Sequence, residues 1–190
     1  MIKRDDCIRL IAEQHTDEIV VPLYQAAFEW HAIKPWPLTY YAFGAMGQGS
    51  SHGLGFALGR PDKRVLVLDG DGSVLMNLGT LVTIASVAPP NLLHFVFENG
   101  SYEANGGHPI PGVGRVNLAG MAREAGISKA FEFSDIDHFA EELPGIMAMR
   151  GPVFVDLKVV KGENFEYRWD VVHGPESREI FREAMKNLPS

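Results

Sequence analysis

The sequence has one cysteine, no long apolar run and no basic cluster, and each of these shortages excludes a class of protein. Because Cys7 has no second cysteine to pair with, an internal disulfide and a cysteine-ligated iron–sulfur or zinc site are excluded. No run approaches the roughly 18 apolar residues of a membrane-spanning helix. The first residues also lack the apolar core of a signal peptide. The sequence therefore predicts a cytoplasmic protein.

The charge balance is acidic, which limits the partners that the protein can have. Lysine and arginine number 17 against 24 aspartates and glutamates, a net charge of −7. Surfaces that bind nucleic acids or anionic membranes are rich in basic residues, so we expect neither partner. An apolar content of 46% with 22% charged residues is typical of a globular domain with a sizeable core.

Short apolar runs alternate with segments of helical periodicity, a pattern typical of a parallel sheet covered by helices. The predicted strands lie at 19–21, 38–43, 65–69, 92–97, 130–133 and 153–160. A first helix is predicted to begin at a cap formed by Asp5 or Asp6. Further predicted helices lie at 24–33, 48–59, 73–85, 117–125 (capped by Asn117 and ended by Gly126), 135–149 and 175–187. We expect an α/β fold of three layers (α/β/α) with a mostly parallel sheet. A single domain over 1–190 would carry a C-terminal appendage at about 161–190.

Two of the predicted strands end in residues with metal-binding chemistry. The run at 65–69 leads into Gly70-Asp71-Gly72-Ser73, and the run at 92–97 leads to Asn99. Neighbouring parallel strands would bring these ends together at the edge of the sheet where ligands bind. Mg²⁺ prefers oxygen ligands, which Asp71, Asn99 and the carbonyl of Ser101 would supply, together with substrate phosphates. Glycines permit close approach of the backbone, and a helix N-terminus favours anions.

This pattern resembles the GDG…N signature of thiamine diphosphate enzymes. In that family the aspartate, the asparagine and a carbonyl two residues later hold Mg²⁺ against the diphosphate. The resemblance assigns these roles to Asp71, Asn99 and Ser101. It extends to Met46, at the position of the apolar residue under the cofactor, and to Gly44, at the position of a carbonyl that receives the 4′-amino group. The implied cofactor contacts are Gly44, Met46, Gly70, Asp71, Gly72, Ser73, Asn99, Ser101, Tyr102, Glu103 and Ala104.

Within the family, the chain resembles the diphosphate-binding (PP) subunit of the split 2-oxo acid decarboxylases, sulfopyruvate and phosphonopyruvate decarboxylases in particular. The resemblance implies a lyase that uses thiamine diphosphate and Mg²⁺ to release CO₂ from a small 2-oxo acid and form an aldehyde. It also implies an α2β2 or larger hetero-oligomer. The separate pyrimidine-binding (alpha) subunit would supply the catalytic glutamate. A carboligase subunit of the acetolactate synthase type and a non-catalytic, cofactor-binding regulatory subunit remain alternatives.

Several candidate residues also have simpler interpretations. His52, His108 and Glu103 are candidates for proton transfer, but His52 could serve helix packing and Glu103 could be a surface charge. Asp71 could be a helix cap, and Asn99 could belong to a turn, although no partner strand for a hairpin is evident. The segment at 22–28 lacks the arginine expected from the resemblance. We therefore hypothesise a 2-oxo acid without a second strong anion.

Overall fold

The computed structural model describes residues 2–44 and 46–189, so Ala45, between the predicted cofactor contacts Gly44 and Met46, lies outside the described residues. The described strands are β1 (Ile2–Lys3), β2 (Ile19–Pro22), β3 (Val65–Gly70), β4 (Leu92–Glu98), β5 (Ser101–Tyr102), β6 (His108–Pro109), β7 (Lys129–Phe133) and β8 (Val153–Val160). The helices are α1 (Arg4–Gln14), α2 (Tyr24–Ile33), α3 (Gly49–Gly59), α4 (Asp71–Met76), α5 (Gly79–Val87), α6 (Leu118–Glu124), α7 (Ile136–Ala148), α8 (Trp169–Val172) and α9 (Pro175–Lys186).

Six of the described strands form one parallel sheet, with β3 and β4 in its interior. The order is β1-β8-β4-β3-β2, and β7 also pairs with β8. Between β3 and β4 the register places Gly70 opposite Phe97. The carboxyl ends of β3 and β4 therefore lie side by side, as the sequence predicted.

The core has two parts, one on each face of the sheet, because successive strand residues point to opposite faces. Leu66 and Leu68 of β3 pack with the buried faces of α1, α2 and α7. Val65 and Val67, one residue out of phase, pack with α3, α5 and α6. The three-layer α/β/α prediction is confirmed.

The structure corrects several of the predicted elements. The strand predicted at 38–43 is only partly formed: the segment runs parallel to β2 through the Thr39–Val20 bridge and through backbone hydrogen bonds of Leu38, Tyr40 and Ala42, without becoming a regular strand. Helix α1 begins at Arg4, before both predicted aspartate caps. The predicted helix at 73–85 is two helices separated at Asn77 and Leu78. A short antiparallel pair, β5–β6, follows Asn99, but its turn lies at 103–107 and not at Asn99-Gly100, where the sequence disfavoured a hairpin.

Two helix-terminal assignments agree closely with the structure. The Asn117 side chain accepts a hydrogen bond from the Gly120 N–H at 2.6 Å, and the helix that it caps is α6. Asp135 caps α7 in the same way through His138, and Pro144 lies inside that helix. Within the described residues, 2–44 and 46–189, no helix is long and apolar enough to cross a membrane.

Candidate active site

Asp71 links the ends of the neighbouring strands β3 and β4. Its Oδ1 accepts a hydrogen bond from the Gly72 N–H at 2.7 Å, and its Oδ2 accepts one from the Gly100 N–H at 2.7 Å. Gly100 follows β4 by two residues, so these contacts link β3 to the loop after β4. Asp71 therefore does more than cap its own helix, because its Oδ2 accepts a hydrogen bond from the loop that follows β4.

Burial makes Asp71 sensitive to the presence of a cation. Its side chain is 2% exposed, and burial raises the pKa of this carboxyl to about 6, against the opposing effect of the Gly72 and Gly100 amides. These donors are neutral, so they leave the charge of the ionised carboxylate uncompensated. A carboxylate has about four lone-pair positions, and two remain for a metal ion.

The Asn99 side chain has a defined orientation. Its Oδ1 accepts from the Ser101 N–H at 2.8 Å and from the Ser101 hydroxyl at 3.1 Å. Its Nδ2 donates to Oε2 of Glu103 at 3.0 Å. The two bonds to Oδ1 use both of its lone pairs, but a hydroxyl can rotate to another acceptor. Rotation of the Ser101 hydroxyl would leave one Asn99 lone pair free for a cation.

The donor set matches a hard cation rather than a transition metal. Among residues 2–44 and 46–189 there is no group of three or more histidine, cysteine, aspartate or glutamate side chains suited to a metal. One carboxylate, one amide oxygen and one backbone carbonyl, completed by phosphate oxygens and water, is the kind of set that Mg²⁺ accepts. Asp71, Asn99 and Ser101 fit this requirement.

A cleft of about 450 Å³ opens at this edge of the sheet. The predicted residues that line it are Met46, Gly70, Asp71, Gly72, Ser73, Asn99, Ser101, Tyr102, Glu103 and Ala104. Residues that sequence reasoning missed also line it: Arg4, Leu23, Tyr24, Gln25, Ala26, Asp69 and Phe97. Gly44 is not part of this lining, and its role stays a prediction.

The start of α2 forms one wall of the cleft. Leu23 precedes the helix, and Tyr24, with φ of 44°, begins it. No side chain caps this end, so the first amides of a ten-residue helix are available to an anion. This wall reaches the cleft because β2 lies next to β3 in the sheet and both strands end at the same edge; no local sequence pattern indicates it.

Met46 is held next to α4 through its neighbour Gly47. The Gly47 N–H donates to the Ser73 hydroxyl at 3.0 Å, and the Asn77 side chain donates to the Gly47 carbonyl at 2.9 Å. Gly47 has φ of +82° and lies so close to Met76 and Asn77 that a Cβ would be crowded. The close packing here explains why α4 and α5 are separate helices, since Asn77 leaves the helix and bonds to this loop.

Gly72 allows an aromatic ring to approach the backbone. A Cβ at this position would lie 2.5 Å from two carbons of the Tyr102 ring. Tyr102 belongs to β5 of the small hairpin, so the loop after Asn99 folds back onto the Gly70–Ser73 turn. The glycine is required by this contact, a use that the GDG pattern alone did not reveal.

An arginine from the N-terminus reaches the cleft. Arg4 makes a bidentate ion pair with Glu29 of α2, with nitrogen–oxygen distances of 2.7–3.0 Å. Its Nη1 also donates to Oε2 of Glu103 at 2.7 Å. Arg4 and Glu29 are 5% and 3% exposed. The segment at 22–28 contains no arginine, but Arg4, from outside that segment, lines the cleft and is paired with two carboxylates.

The two predicted histidines have different positions. His108 in β6 is exposed and lines a shallow depression together with Met46 and Tyr102, which also line the cleft. His52 lies in α3, with its ring 5.2 Å from that of Tyr40, and it does not line the cleft. The structure brings His108 to a depression that adjoins the cleft and leaves His52 away from the cleft. The proposed roles of both histidines stay predictions.

A cluster of three acidic side chains surrounds Lys158 of β8, close to the site. The Lys158 ammonium contacts Glu98 at 2.6 Å, Asp156 at 2.9 Å and Glu132 at 3.4 Å. Asp156 is fully buried, and its Oδ1 has no hydrogen-bond partner. Burial and the nearby Glu98 raise the pKa of Asp156 from 3.8 to about 7. The ionised carboxylate therefore costs stability at neutral pH.

Replacement of Asp156 by asparagine should stabilise the protein in a pH-dependent way. Because the pKa of Asp156 is higher in the folded than in the unfolded state, the protein loses stability as the pH rises from about 4 to about 7. We expect the variant to be more stable than the wild type at pH 8 by at least about 1 kcal/mol, because the pKa of Asp156 is raised by more than one unit and each unit corresponds to roughly 1.4 kcal/mol. At pH 5 the gain should be smaller, because most of the wild-type loss of stability falls between pH 5 and pH 7. Thermal unfolding at both pH values checks this, and an equal effect at both would contradict it.

The comparisons with known proteins point to one family. Residues 23–157 match the family described as thiamine pyrophosphate enzyme, C-terminal TPP binding domain. A sulfopyruvate decarboxylase subunit beta of Methanothermobacter thermautotrophicus is 38% identical over 163 residues, which are 85% of this chain and 84% of that protein. A phosphonopyruvate decarboxylase of Streptomyces viridochromogenes is 36% identical over 155 residues, 81% of this chain and 38% of that protein.

A solved structure supports the fold. A thiamin diphosphate-dependent enzyme from Mycobacterium smegmatis superimposes with a TM-score of 0.67 at 18% identity, over 85% of this chain and 32% of that one. The chain spans most of the separate beta subunit but less than half of the longer relatives. The matched residues include both strand ends of the site. This chain belongs to the thiamine pyrophosphate enzyme family, and it carries the family's C-terminal TPP-binding domain.

Proposed function

We propose that this chain is the thiamine diphosphate- and Mg²⁺-binding subunit of a two-subunit 2-oxo acid decarboxylase. The single observation that carries the proposal is the bridge made by Asp71 between the ends of β3 and β4, with Asn99 beside it. The bridge occurs in a chain that is similar to a sulfopyruvate decarboxylase beta subunit over most of its length.

Different residues of the cleft would bind the Mg²⁺ ion and the diphosphate of the cofactor. Asp71, Asn99 and the Ser101 carbonyl would hold Mg²⁺. The uncapped start of α2 at Leu23 and the close backbone of Gly70 would receive the diphosphate. Burial of Asp71 supports this assignment, because a cation placed there would offset the cost of an ionised buried carboxylate.

The remaining residues would orient the substrate and exclude water. Met46 and the Tyr102 ring provide apolar surface in the cleft, on the side where the reacting end of the cofactor would lie. When bound, thiamine diphosphate supplies an electron sink for the bond to the departing CO₂. His108, exposed in the depression that adjoins the cleft, is positioned to exchange a proton with solvent and with a substrate there. Glu103, with one oxygen held and the carboxylate one-fifth exposed, is the second candidate for this role.

A partner subunit completes the proposed enzyme. The relative from Methanothermobacter thermautotrophicus is described as a beta subunit, which implies an alpha subunit for that protein. We propose an equivalent pyrimidine-binding subunit here, which supplies the catalytic glutamate in an α2β2 or larger assembly. The cytoplasmic location suggested by the sequence stays a prediction.

The charges at the cleft favour a substrate without a second strong anion. Arg4 is the arginine of the cleft lining, and its guanidinium already contacts both Glu29 and Glu103. Two carboxylates for one guanidinium leave this group with a net negative charge, which would repel a sulfonate or phosphonate. The relatives are named for sulfopyruvate and phosphonopyruvate, so the proposed substrate differs from theirs in charge.

Purification of the tagged protein from its own cells, with Mg²⁺ and thiamine diphosphate present, tests the proposal. Native mass measurement should show a second small chain in equal ratio, and the complex should release CO₂ from pyruvate-like acids faster than from sulfopyruvate. A homo-oligomer without decarboxylase activity would contradict the split enzyme and favour a regulatory role. Comparable turnover of both acids would contradict the charge argument alone. Formation of a hydroxy-ketone at the same rate as CO₂ would instead identify a carboligase.

A further inference from the structure

We propose that Glu103 is a positioning residue for metal binding: its carboxylate, held by Arg4, fixes the Asn99 amide so that the oxygen and not the nitrogen faces the cation. The inference rests on the proposed function, because it concerns the same metal site. It assigns a task to a buried ion-pair network that extends from the N-terminus to the loop after β4.

One oxygen of Glu103 carries the central contact. Oε2 accepts from Nδ2 of Asn99 at 3.0 Å and from Nη1 of Arg4 at 2.7 Å. An ionised carboxylate can only accept hydrogen bonds. Rotation of the Asn99 amide by 180° would place its oxygen against Oε2 and leave two acceptors in contact. The flipped orientation, which would offer an NH₂ group to the metal, is therefore disfavoured by Glu103.

The orientation is supported from the opposite side of the amide. The Ser101 N–H donates to Oδ1 of Asn99 at 2.8 Å, and a backbone N–H can only donate. Asn99 thus has an acceptor at its nitrogen and a donor at its oxygen. The Ser101 hydroxyl, which can donate or accept, does not discriminate between the two orientations. The charge of Glu103 makes its contact the stronger of the two selective ones.

Arg4 explains why Glu103 stays in place although it lies in an irregular loop. The guanidinium is anchored by the bidentate pair with Glu29, and both side chains are buried. The remaining nitrogen, Nη1, then holds Glu103 at a fixed distance from the body of the domain. Arg4 and Glu29 do not contact Asn99, so they act on the metal site only through Glu103.

A different account is that Glu103 merely attaches the loop to the domain. In that case its removal would lower stability and disturb every ligand of the loop alike. The positioning role predicts a different result, because it depends on the amide of Asn99. An aspartate at position 99 has two equivalent oxygens and needs no orientation, so the effect of Glu103 should disappear in that background.

The test measures the affinity for Mn²⁺, used as a paramagnetic probe for Mg²⁺, by electron paramagnetic resonance with saturating thiamine diphosphate. The protein is purified with whatever chain accompanies it. E103Q should weaken Mn²⁺ binding by about 10-fold or more, the usual effect of losing a group that orients a metal ligand. Gln can donate or accept, so it permits both orientations of the amide. Glu103→Ala, which leaves Nδ2 without this acceptor, should give a similar loss and serves as the second variant.

Two further variants separate charge and orientation. E98Q removes one negative charge from the residue next to Asn99. Because the Glu98 side chain bonds to Lys158 and not to the Asn99 amide, this variant should change the Mn²⁺ affinity by less than threefold. In the Asn99→Asp background, E103Q should leave Mn²⁺ binding unchanged or tighten it, because two neighbouring carboxylates no longer repel each other. The midpoint of thermal unfolding without metal and cofactor shows whether each variant is folded.

The outcomes distinguish the two proposals. An equal loss on E103Q in the wild-type and Asn99→Asp backgrounds would overturn the positioning role, as would a loss below threefold in the wild type or a loss as large in E98Q. Asp71→Asn serves as the reference for the metal site itself. If that variant binds Mn²⁺ as the wild type does, the proposed metal site is wrong whatever Glu103 does.

Discussion

Replacement of Asp71 by asparagine should reduce the Mg²⁺-dependent affinity for thiamine diphosphate by about 100-fold or more, beyond the 10- to 100-fold typical of groups that only orient a ligand. The reason is that Asp71 supplies the charged oxygen of the proposed site. Its uncharged replacement keeps the size of the side chain and can still accept the Gly72 N–H bond. Equilibrium binding, followed by isothermal titration, measures the loss.

The pH dependence of the same binding is a second aspect of this prediction. Because the pKa of Asp71 is raised to about 6 by burial, protons compete with the cation below that pH. We expect constant affinity above about pH 7 and a fall that approaches tenfold per pH unit well below pH 6. The asparagine variant should lose this dependence along with its affinity.

The matched control is Asp170→Asn, at an exposed carboxylate that pairs with Arg168. It changes the net charge by the same amount and should bind thiamine diphosphate as the wild type does. A loss below tenfold in the Asp71 variant, or an equal loss in the control, would contradict the assignment of Asp71 as a metal ligand.

Replacement of Arg4 by methionine should lower the free energy of unfolding by about 3–5 kcal/mol, the usual cost of removing one partner of a buried ion pair. The reason is that Glu29 would be left buried without its counter-charge. Burial raises the pKa of Glu29 even with Arg4 beside it, so the carboxylate depends on this pair. Denaturant unfolding measures the change.

The pH and a compensating substitution sharpen this prediction. At pH 5 the loss should be smaller than at pH 8, because the isolated Glu29 can take up a proton. The double variant Arg4→Met, Glu29→Leu should recover much of the stability, since no charge is then left buried. Glu103 is one-fifth exposed and can be solvated without Arg4. A loss below 1 kcal/mol in the single variant, or no recovery in the double one, would contradict the prediction.

The sequence predicted those parts of the site that depend on local patterns. The positions of Asp71 and Asn99 follow from two apolar runs that end in polar residues. Parallel pairing of the two strands then brings these ends together. The cap at Asn117 and the stop at Gly126, which has φ of +109°, are also local. In each case the physical cause lies within a few residues of the feature.

The parts that could not be predicted depend on contacts between distant segments. Arg4 is 99 residues from Glu103, and no periodicity in the first helix indicates that its first residue is buried in a cleft. The start of α2 reaches the site only because β2 pairs with β3. The segment 38–43, which follows Pro35 and Pro37, lies beside β2 with one bridge and three backbone hydrogen bonds, and it does not form a regular strand.

The most direct measurement is the equilibrium binding of thiamine diphosphate to the protein purified from its own cells, titrated once with Mg²⁺ and once with a chelator. We expect saturable binding of one cofactor per chain with Mg²⁺ and a loss of about 100-fold or more in affinity with the chelator. Binding of equal strength under both conditions, or no binding with Mg²⁺, would contradict the proposal that Asp71, Asn99 and Ser101 hold a metal against the diphosphate.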